Sequence, residues 1–469
     1  MNDLTVAILA AGKGTRMKSA TPKLLFEAAG RPLGTWPVAT ALALRPARVV
    51  VVVGHGRDGL QEVLRARFPR APLVFAGQKE QLGTGHALRC ALPFVPRSAR
   101  RLLVLCGDAP LVTPDPLRRL LAVGRRRPVA MLTSVVGDPA MYGRVLRDER
   151  GRVVRIVEHR DATPQLRLVR EVNPAVYVFD PAWLRSAIGR LRRGNAQGEF
   201  YLTDVVELAA GTSRGVADLR VPFDDLRGVN NRAELAEAEE ALLDRIRRTW
   251  LVAGVTIRAP HTVRLEADVR LARDVEIGPG AQLLGRTTVA AGASIGAGCI
   301  LRDVAVGKNA VLLPYVVATE SSIGPGARIG PFAHLRPKSS IGREAHVGNF
   351  VETKNTVMHP GAKANHLAYV GDGDIGRRTN VGAGTIFCNY DGFGKWRTVL
   401  GEDVFVGSDS QLVAPVTVGD GAYVASGSTI VEDVPAGALA VARARQVVKP
   451  GYAGKLRAKL AARKARQRK

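Results

Sequence analysis

A chain of 469 residues is too long for one ordinary core and implies two or three domains. Its 46% hydrophobic content, with 27 prolines and 50 glycines, fits a globular protein rich in turns, and no apolar run is long enough to span a bilayer. The formal charge of +26 favours contact with polyanions, phosphorylated substrates among them. Four cysteines, Cys90, Cys106, Cys299 and Cys388, lie far apart without a CxxC pair, against a disulfide framework or a structural zinc site.

The N-terminal stretch MNDLTVAILAAGKGTRM has no basic leader region and no small-residue cleavage site. Val6 to Ala11 therefore reads as a buried strand and not as a secretion signal, and the cytoplasm is the expected compartment. Further apolar strands are expected at 49–54 and 102–108, with helices at 60–68 and 84–92 between them. Strands alternating with helices imply βαβ units and a parallel sheet of the doubly wound, Rossmann-like nucleotide-binding type. From 128 to 225 the pattern is mixed, with strands at 129–135 and 153–158 and helices near 181–191 and 201–209. A connecting helix is expected over 231–249, with Leu235, Ala238, Leu242 and Ile246 on one face and Asn231 able to cap it. The domains expected are thus 1–228, a helical linker 229–250, a repeat domain 251–442 and a basic tail 443–469.

The repeat domain announces itself by an aliphatic residue at every sixth position. One run is Ile277, Leu283, Val289, Ile295, Leu301; a second is Ile323, Ile329, Leu335, Ile341, Val347; a third is Val406, Leu412, Val418, Val424, Ile430. A step of six is neither helix nor strand; it is the period of a left-handed parallel β-helix, whose hexads each make one side of a triangular coil. Gly324, Gly330, Gly342 and Gly348 follow aliphatic residues of the second run and are expected to turn the corners. Between Gly348 and Ile375 the count fails, and a polar loop is expected to leave the solenoid there. The tail holds eleven Lys or Arg and no Asp or Glu. It reads as a solvated basic end without the interleaved aromatics of a single-strand binding surface, which leaves nucleic acid an open partner.

Chemistry is expected first at LAAGKGTRM, residues 9–17. Gly12 and Gly14 let the backbone approach a ligand, Lys13 and Arg16 bring charge, and amides at a strand-to-helix turn cradle phosphates. The pattern is neither a P-loop nor GxGxxG. Pro22-Lys23 can bring another cation to the same phosphates, and QLGTGHA (81–87) is a second small-residue turn. Asp108 closes a strand at the edge where α/β sheets bind ligands. By its residue type alone Asp108 can equally cap a turn, and Asn230 can cap the 231–249 helix.

LAAGKGTRM with Pro22-Lys23, then QLGTGHA, Gly107-Asp108, YGR, VEH, NAQGEFYLTD and GVNNR, ahead of a hexapeptide solenoid, together resemble one family over nearly the whole chain. It is the bacterial bifunctional N-acetylglucosamine-1-phosphate uridylyltransferase/glucosamine-1-phosphate acetyltransferase family. The resemblance implies acetyl transfer from acetyl-CoA to glucosamine 1-phosphate in the solenoid half. It implies coupling of the product to UTP in the α/β half, giving pyrophosphate and UDP-N-acetylglucosamine, a cell-wall precursor. Leu9, Ala10, Ala11 and Gly12 would contact uracil and ribose, with Gln78, Gly83 and Thr84 completing the nucleotide pocket. Arg16 and Lys23 would neutralise triphosphate charge, and Asp108 and Asn230 would be the protein ligands of Mg²⁺. Gly143, Glu158, Asn173 and Asn230 would hold the amino sugar. One departure stands out: Asn173-Pro174-Ala175 occupies a place where the family commonly has Asn-Thr-Gly or similar. Pro174 cannot donate a hydrogen bond and Ala175 adds a methyl group.

In the solenoid the resemblance makes His366 of KANHLAYVGD the proton acceptor, as amine acetylation requires. Arg336, Lys354, Tyr369 and Asn380 would bind the acceptor sugar phosphate. Ala383, Asn389, Tyr390, Ser408, Ser426 and Arg443 would contact acetyl-CoA; CNYDG can also be an ordinary turn. His334 and His359 read as surface residues. The family implies a homotrimer with acetyl-CoA sites between subunits, acting on small molecules and not on membranes.

Overall fold

The computed structural model describes residues 3–12, 14–54 and 57–467, so Lys13 lies outside the described residues. The chain divides into two compact units, one of Met1–Thr249 with Leu265–Ala267, the other of Trp250–Arg264 with Asp268–Lys469.

The first unit is built on a mixed sheet. Four parallel strands come first, in the order Leu73–Gly77, Arg48–Val53, Leu4–Ala10, Arg101–Cys106. Their near-continuous aliphatic sequences follow from burial on both faces. Ala7, Ala11, Val50, Val52, Leu102 and Val104 enter one core with the helix Thr84–Ala91. Leu4, Val6, Ile8, Val49, Val51 and Leu103 enter the other with Leu117, Leu120 and Leu121 of the helix Pro114–Val123. Beyond them Tyr177–Phe179 runs antiparallel to both Arg101–Cys106 and Val129–Val135, and the sheet continues through Glu171–Asn173, Gly143–Arg147 and Val153–Val157. The expected helix near 181–191 is Pro181–Ala187 followed by a 3₁₀ turn, and that near 201–209 begins at Asp204. The connecting helix spans Arg232–Val252, past its expected end. Its cap is reciprocal: the Glu234 amide donates to Asn231 Oδ1 (3.0 Å), and Asn231 Nδ2 donates to Glu234 Oε1 (2.6 Å).

The second unit is a parallel β-helix of three sheets, with eleven, ten and nine strands among the described residues. All fifteen aliphatic residues of the three six-step runs are buried, none more than 4% exposed. Each stacks on the equivalent residue of the next coil; Ile323, for example, pairs with Ile341, and Ile329 with Val347. Full burial of one such side chain is worth about 1.5–3 kcal/mol, so the ladder is the principal favourable term of this unit.

Two expectations about the solenoid are corrected. Of the four glycines expected to turn corners, only Gly330 has a positive φ, 92°. The others are required by closeness: a Cβ on Gly348 would lie 1.9 Å from the Asn365 carbonyl oxygen. Left-handed corner positions are shared between other glycines, such as Gly298, Gly326 and Gly384, and larger residues, including Tyr315, Phe332, Phe350 and Leu367. The rings of Tyr315, Phe332 and Phe350 stack along one edge at 5.2 and 5.5 Å and are about half exposed.

The polar stretch 348–375 does not leave the solenoid. Its coils are one residue shorter than three hexads: His346 pairs with Lys363 and Lys363 with Asn380, seventeen positions each, where Arg328 to His346 takes eighteen. The six-count therefore slips while stacking continues. The true excursion is residues 389–397, in a coil where Asn380 pairs with Phe405, twenty-five positions on. Beyond the solenoid, the tail forms a helix, Tyr452–Arg466, with no buried residue. Among the described residues no helix is long and apolar enough to cross a membrane.

Gly348→Ala should lower the stability of the second unit by about 1–3 kcal/mol, because its methyl group overpacks against backbone that cannot rotate away. Removal of 390–396 should leave that stability nearly unchanged. Denaturant midpoints of the two variants test the pair: equal midpoints would contradict this account.

Candidate active sites

Three of the four parallel strands end at Ala10, Gly77 and Cys106, and the turns that follow them line one cleft of roughly 290 Å³. Leu9, Ala10, Ala11, Gly12, Lys23, Gln78, Gly83, Thr84 and Asp108 line it, as the resemblance implies, joined by Gln81, Cys106 and Glu199. QLGTGHA and NAQGEFYLTD, far apart in the chain, are sewn together. The Gly85 amide donates to the Phe200 carbonyl (2.8 Å), the Phe200 amide to Leu82 (2.8 Å), and the Leu202 amide to Thr84 Oγ1 (3.1 Å). Gly83 has φ 100°, and a Cβ there would lie 2.7 Å from the Phe200 carbonyl, so only glycine fits. Gln81 Nε2 donates to the Ala11 carbonyl at 2.5 Å and ties the first turn to the second. Burial pushes the Cys106 thiol up to about 12, so it lines the cleft as a neutral group.

Lys23 Nζ forms an ion pair with Asp108 Oδ2, both side chains largely buried. Arg16 Nη2 donates to Asn230 Oδ1 at 2.8 Å. Helix capping falls to Asn231, so the Asn230 amide oxygen points elsewhere. The Val229 amide donates to the Asp108 carbonyl (2.9 Å), which brings the two expected metal ligands together. Each of these oxygens faces a cationic side chain, which a divalent ion binding there would have to displace. One carboxylate and one amide suit Mg²⁺, which keeps most of its waters. Among the described residues there is no group of three or more His, Cys, Asp or Glu that could hold a metal.

Gly143, Glu158 and Asn173 also come together. Gly143 pairs with Asn173 across the sheet, and a Cβ on Gly143 would lie 3.5 Å from Glu158 Oε2. Glu158 accepts from Thr203 Oγ1 (3.2 Å), and burial raises its carboxyl above the usual range. At the departure from the family pattern the Ala175 amide donates to Asn173 Oδ1 (3.0 Å), and Ala175 is held at φ 58°, where a glycine would be unstrained. Asn230 lines an adjoining cavity of roughly 210 Å³ with Arg16, Tyr142 and Arg227; Gly228, which donates to Tyr142 Oη at 3.3 Å, links it to the neighbour of Gly143.

In the solenoid, register does the positioning. Asn349 pairs with His366, and the His366, Ala383, Ser408 and Ser426 corners lie one above another. The Gly384 amide donates to the His366 carbonyl (3.4 Å), the Asp409 amide to Ala383 (2.7 Å) and the Gly427 amide to Ser408 (2.8 Å). His366 Nδ1 is 2.8 Å from Asn349 Oδ1. An amide oxygen only accepts, so the ring proton sits on Nδ1 and Nε2 keeps its lone pair, the arrangement a general base needs.

On the next face Arg336 and Lys354 occupy equivalent positions of successive coils, with Tyr369 beside them. Arg336 Nη1 pairs with Glu352 Oε1 at 2.7 Å. Lys395, from the 389–397 excursion, and then Arg336 press the Lys354 ammonium below the usual lysine value. Three cations held this close make an anion site. Asn380 stands on the preceding face between Lys363 and Phe405. Asn389 is buried and donates to Asp372 Oδ2 (2.5 Å), while Tyr390 is exposed at the base of the excursion. Asp391 does form a turn, accepting from the Phe393 (2.8 Å) and Gly394 (2.7 Å) amides, which hold its carboxyl down to about 2. Arg443 is exposed beyond the last coils. His334 is exposed, and His359 is bonded to Asp374 at 2.9 Å. Asn349, Glu352, Asp372 and Lys395 were not singled out from sequence; only the coil register shows that they face these groups.

Two family models match: MobA-like NTP transferase domain over residues 6–192, and bacterial transferase hexapeptide (six repeats) over 397–432. The chain is 52% identical to Bifunctional protein GlmU of Sorangium cellulosum, covering 97% of each chain. It is 46% identical to the protein of the same name from Bordetella parapertussis (96% of this chain, 98% of that one) and from Stutzerimonas stutzeri (94% and 97%).

Because burial lifts the folded-state pKa of Glu158 above its unfolded value near 4.5, its charged form costs stability at pH above that folded value. The cost disappears as the pH falls below the unfolded value. Glu158→Gln should therefore raise Tm by about 2–4 °C at pH 7.5, with the difference shrinking towards pH 4.5. A Tm that falls at pH 7.5 would refute the sign.

Proposed function

The chain belongs to the bifunctional GlmU family, a uridylyltransferase joined to a hexapeptide acetyltransferase, and from that premise we propose how its residues divide the two reactions. In the solenoid, His366 Nε2 takes a proton from the ammonium of glucosamine 1-phosphate. The freed amine attacks the thioester carbonyl of acetyl-CoA, the carbon–sulfur bond breaks, the nitrogen sheds a proton to become the amide, and the departing sulfur takes one up so that CoA leaves as the thiol. Asn349 keeps the imidazole in the tautomer that can accept. Arg336, Lys354 and Lys395 hold the sugar phosphate with Tyr369 and Asn380, and Ala383, Asn389, Tyr390, Ser408, Ser426 and Arg443 receive acetyl-CoA. The hydrogen bond from His366 to Asn349 is the observation that carries this half.

In the α/β unit the phosphate of N-acetylglucosamine 1-phosphate attacks the α-phosphorus of UTP, and pyrophosphate leaves. Such transfers need positioning and charge neutralisation more than covalent help. Leu9 to Gly12, Gln78, Gly83 and Thr84 seat the nucleotide. Arg16 and Lys23 turn from Asn230 and Asp108 to the phosphates. Asp108 and Asn230 would hold Mg²⁺, which when bound would supply further neutralisation of triphosphate charge. Gly143, Glu158 and Asn173 seat the amino sugar, with Glu158 accepting from a sugar hydroxyl or amide. The enzyme works in the cytoplasm as a homotrimer. Support for the trimer comes from the half-exposed stack of Tyr315, Phe332 and Phe350 and the wholly exposed Phe393, apolar surface that a single chain leaves uncovered.

Assays that follow CoA and pyrophosphate separately test the division. His366→Ala should reduce acetyl transfer by roughly 10²–10⁴-fold and leave uridylyl transfer from N-acetylglucosamine 1-phosphate intact. Asn349→Ala should cost roughly tenfold in the same activity alone. Loss of pyrophosphate release in either variant, or acetyl transfer that survives His366→Ala, would sink the assignment.

A further inference from the structure

We infer that His86 is a positioning residue that makes the nucleotide pocket read uracil and reject cytosine, by fixing which end of the Gln78 amide faces the base. The inference rests on the reading that Gln78 lies against the base of the nucleotide.

Gln78 follows the strand Leu73–Gly77 and is 4% exposed, yet it lines the cleft. Its Nε2 is 3.2 Å from the Gly83 carbonyl oxygen and 3.1 Å from His86 Nδ1. A carbonyl oxygen can only accept, so the atom facing it must be the amide nitrogen. That nitrogen then spends its second proton on His86 Nδ1, which must carry a lone pair. The ring proton is left on Nε2, which lies 3.8 Å from Cys90 Sγ, one turn along the same helix. Burial holds Cys90 as the thiol, so its sulfur is available as a weak acceptor. The chain of bonds is therefore polarised in one direction, from His86 Nε2–H towards Cys90 and from Gln78 Nε2–H towards His86.

What remains is Gln78 Oε1. Among the described residues it has no hydrogen-bond partner. It is an acceptor on a nearly buried side chain at the wall of the cleft. Uracil presents a donor, N3–H, at the centre of its pairing edge; cytosine presents a lone pair at the same atom. Oε1 therefore bonds the first and repels the second, and a polar site that loses its partner discriminates far more strongly than an apolar one. Without His86, Gly83 alone holds the amide, and a flip would offer cytosine the NH₂ group it accepts. Thymine has the same N3–H as uracil, so this device is blind to it. Among the described residues, His86 lines neither the cleft nor the cavity beside Asn230.

The test measures uridylyl-type transfer to N-acetylglucosamine 1-phosphate with UTP and with CTP, in the full-length enzyme. Four variants are compared with the parent: His86→Phe, His86→Gln, Cys90→Ala and Gln78→Ala. His86→Phe should raise KM for UTP roughly 5–10-fold, with kcat changed by less than about twofold, and should lower the UTP:CTP ratio of kcat/KM roughly tenfold. His86→Gln, which restores an acceptor, should recover part of that ratio, and Cys90→Ala should move it slightly in the same direction as His86→Phe. The retained kcat shows that the unit is folded. In a Gln78→Ala background, His86→Phe should have no further effect on the ratio. If Gln78→Ala abolishes discrimination while His86→Phe keeps it, the positioning role is wrong and the uracil contact stands. If Gln78→Ala itself leaves discrimination intact, Gln78 does not read the base and the inference falls with that reading.

Discussion

In the solenoid no coil can slip against the next. A buried side chain, aliphatic at most positions and Thr353 or Phe387 at others, stacks inside each coil, and the following backbone touches its neighbour so closely that Gly348 has no room for a methyl group. Every other property of this unit follows from that lock. A given corner recurs directly above itself sixteen to eighteen positions later, or twenty-five where the excursion is inserted. Chemistry can therefore be built vertically, from residues that no linear motif contains. Asn349 under His366, and His366 under Ala383, Ser408 and Ser426, form such a column. The lock also explains why long insertions are tolerated at corners: residues 389–397 leave and return without disturbing the strands on either side.

The α/β unit solves the same positioning problem by another route. Its strands run parallel into one edge, and the turns after them converge because the strands do. Hydrogen bonds from Gly85, Phe200 and Leu202 then bind a distant segment to the cleft wall. Electrostatics finishes the site. Lys23 and Arg16 are held by Asp108 and Asn230, partners that a polyphosphate can replace without any large rearrangement. Glu158, by contrast, is kept largely buried, and burial raises its carboxyl, the kind of perturbed group that clusters at functional sites.

The architecture was legible in the sequence wherever a period was long enough to count. The fifteen inward aliphatics and the strands at 49–54, 102–108 and 129–135 needed only their spacing. The short strands Gly143–Arg147, Glu171–Asn173, Tyr177–Phe179 and Val216–Arg220 carry too few residues to show a period, and their pairing is long-range. The misplaced loop has a simple cause: a seventeen-residue coil breaks a six-count as surely as an excursion does, and sequence alone does not separate them. The motif residues of the nucleotide cleft were readable through family resemblance. The partners of the site residues were not, because Gln81 at the cleft and Asn349 and Lys395 in the solenoid make contacts set by tertiary register.

The central proposal is that each of the two units carries one chemistry, the product of the second serving the first. Mixing tests it most directly. Asp108→Asn and His366→Ala enzymes are each supplied with glucosamine 1-phosphate, acetyl-CoA, UTP and Mg²⁺, alone and together, and UDP-N-acetylglucosamine is measured. Neither variant should make it alone, and the mixture should restore formation to within a few-fold of the parent enzyme. A mixture as inactive as its two components would contradict the account.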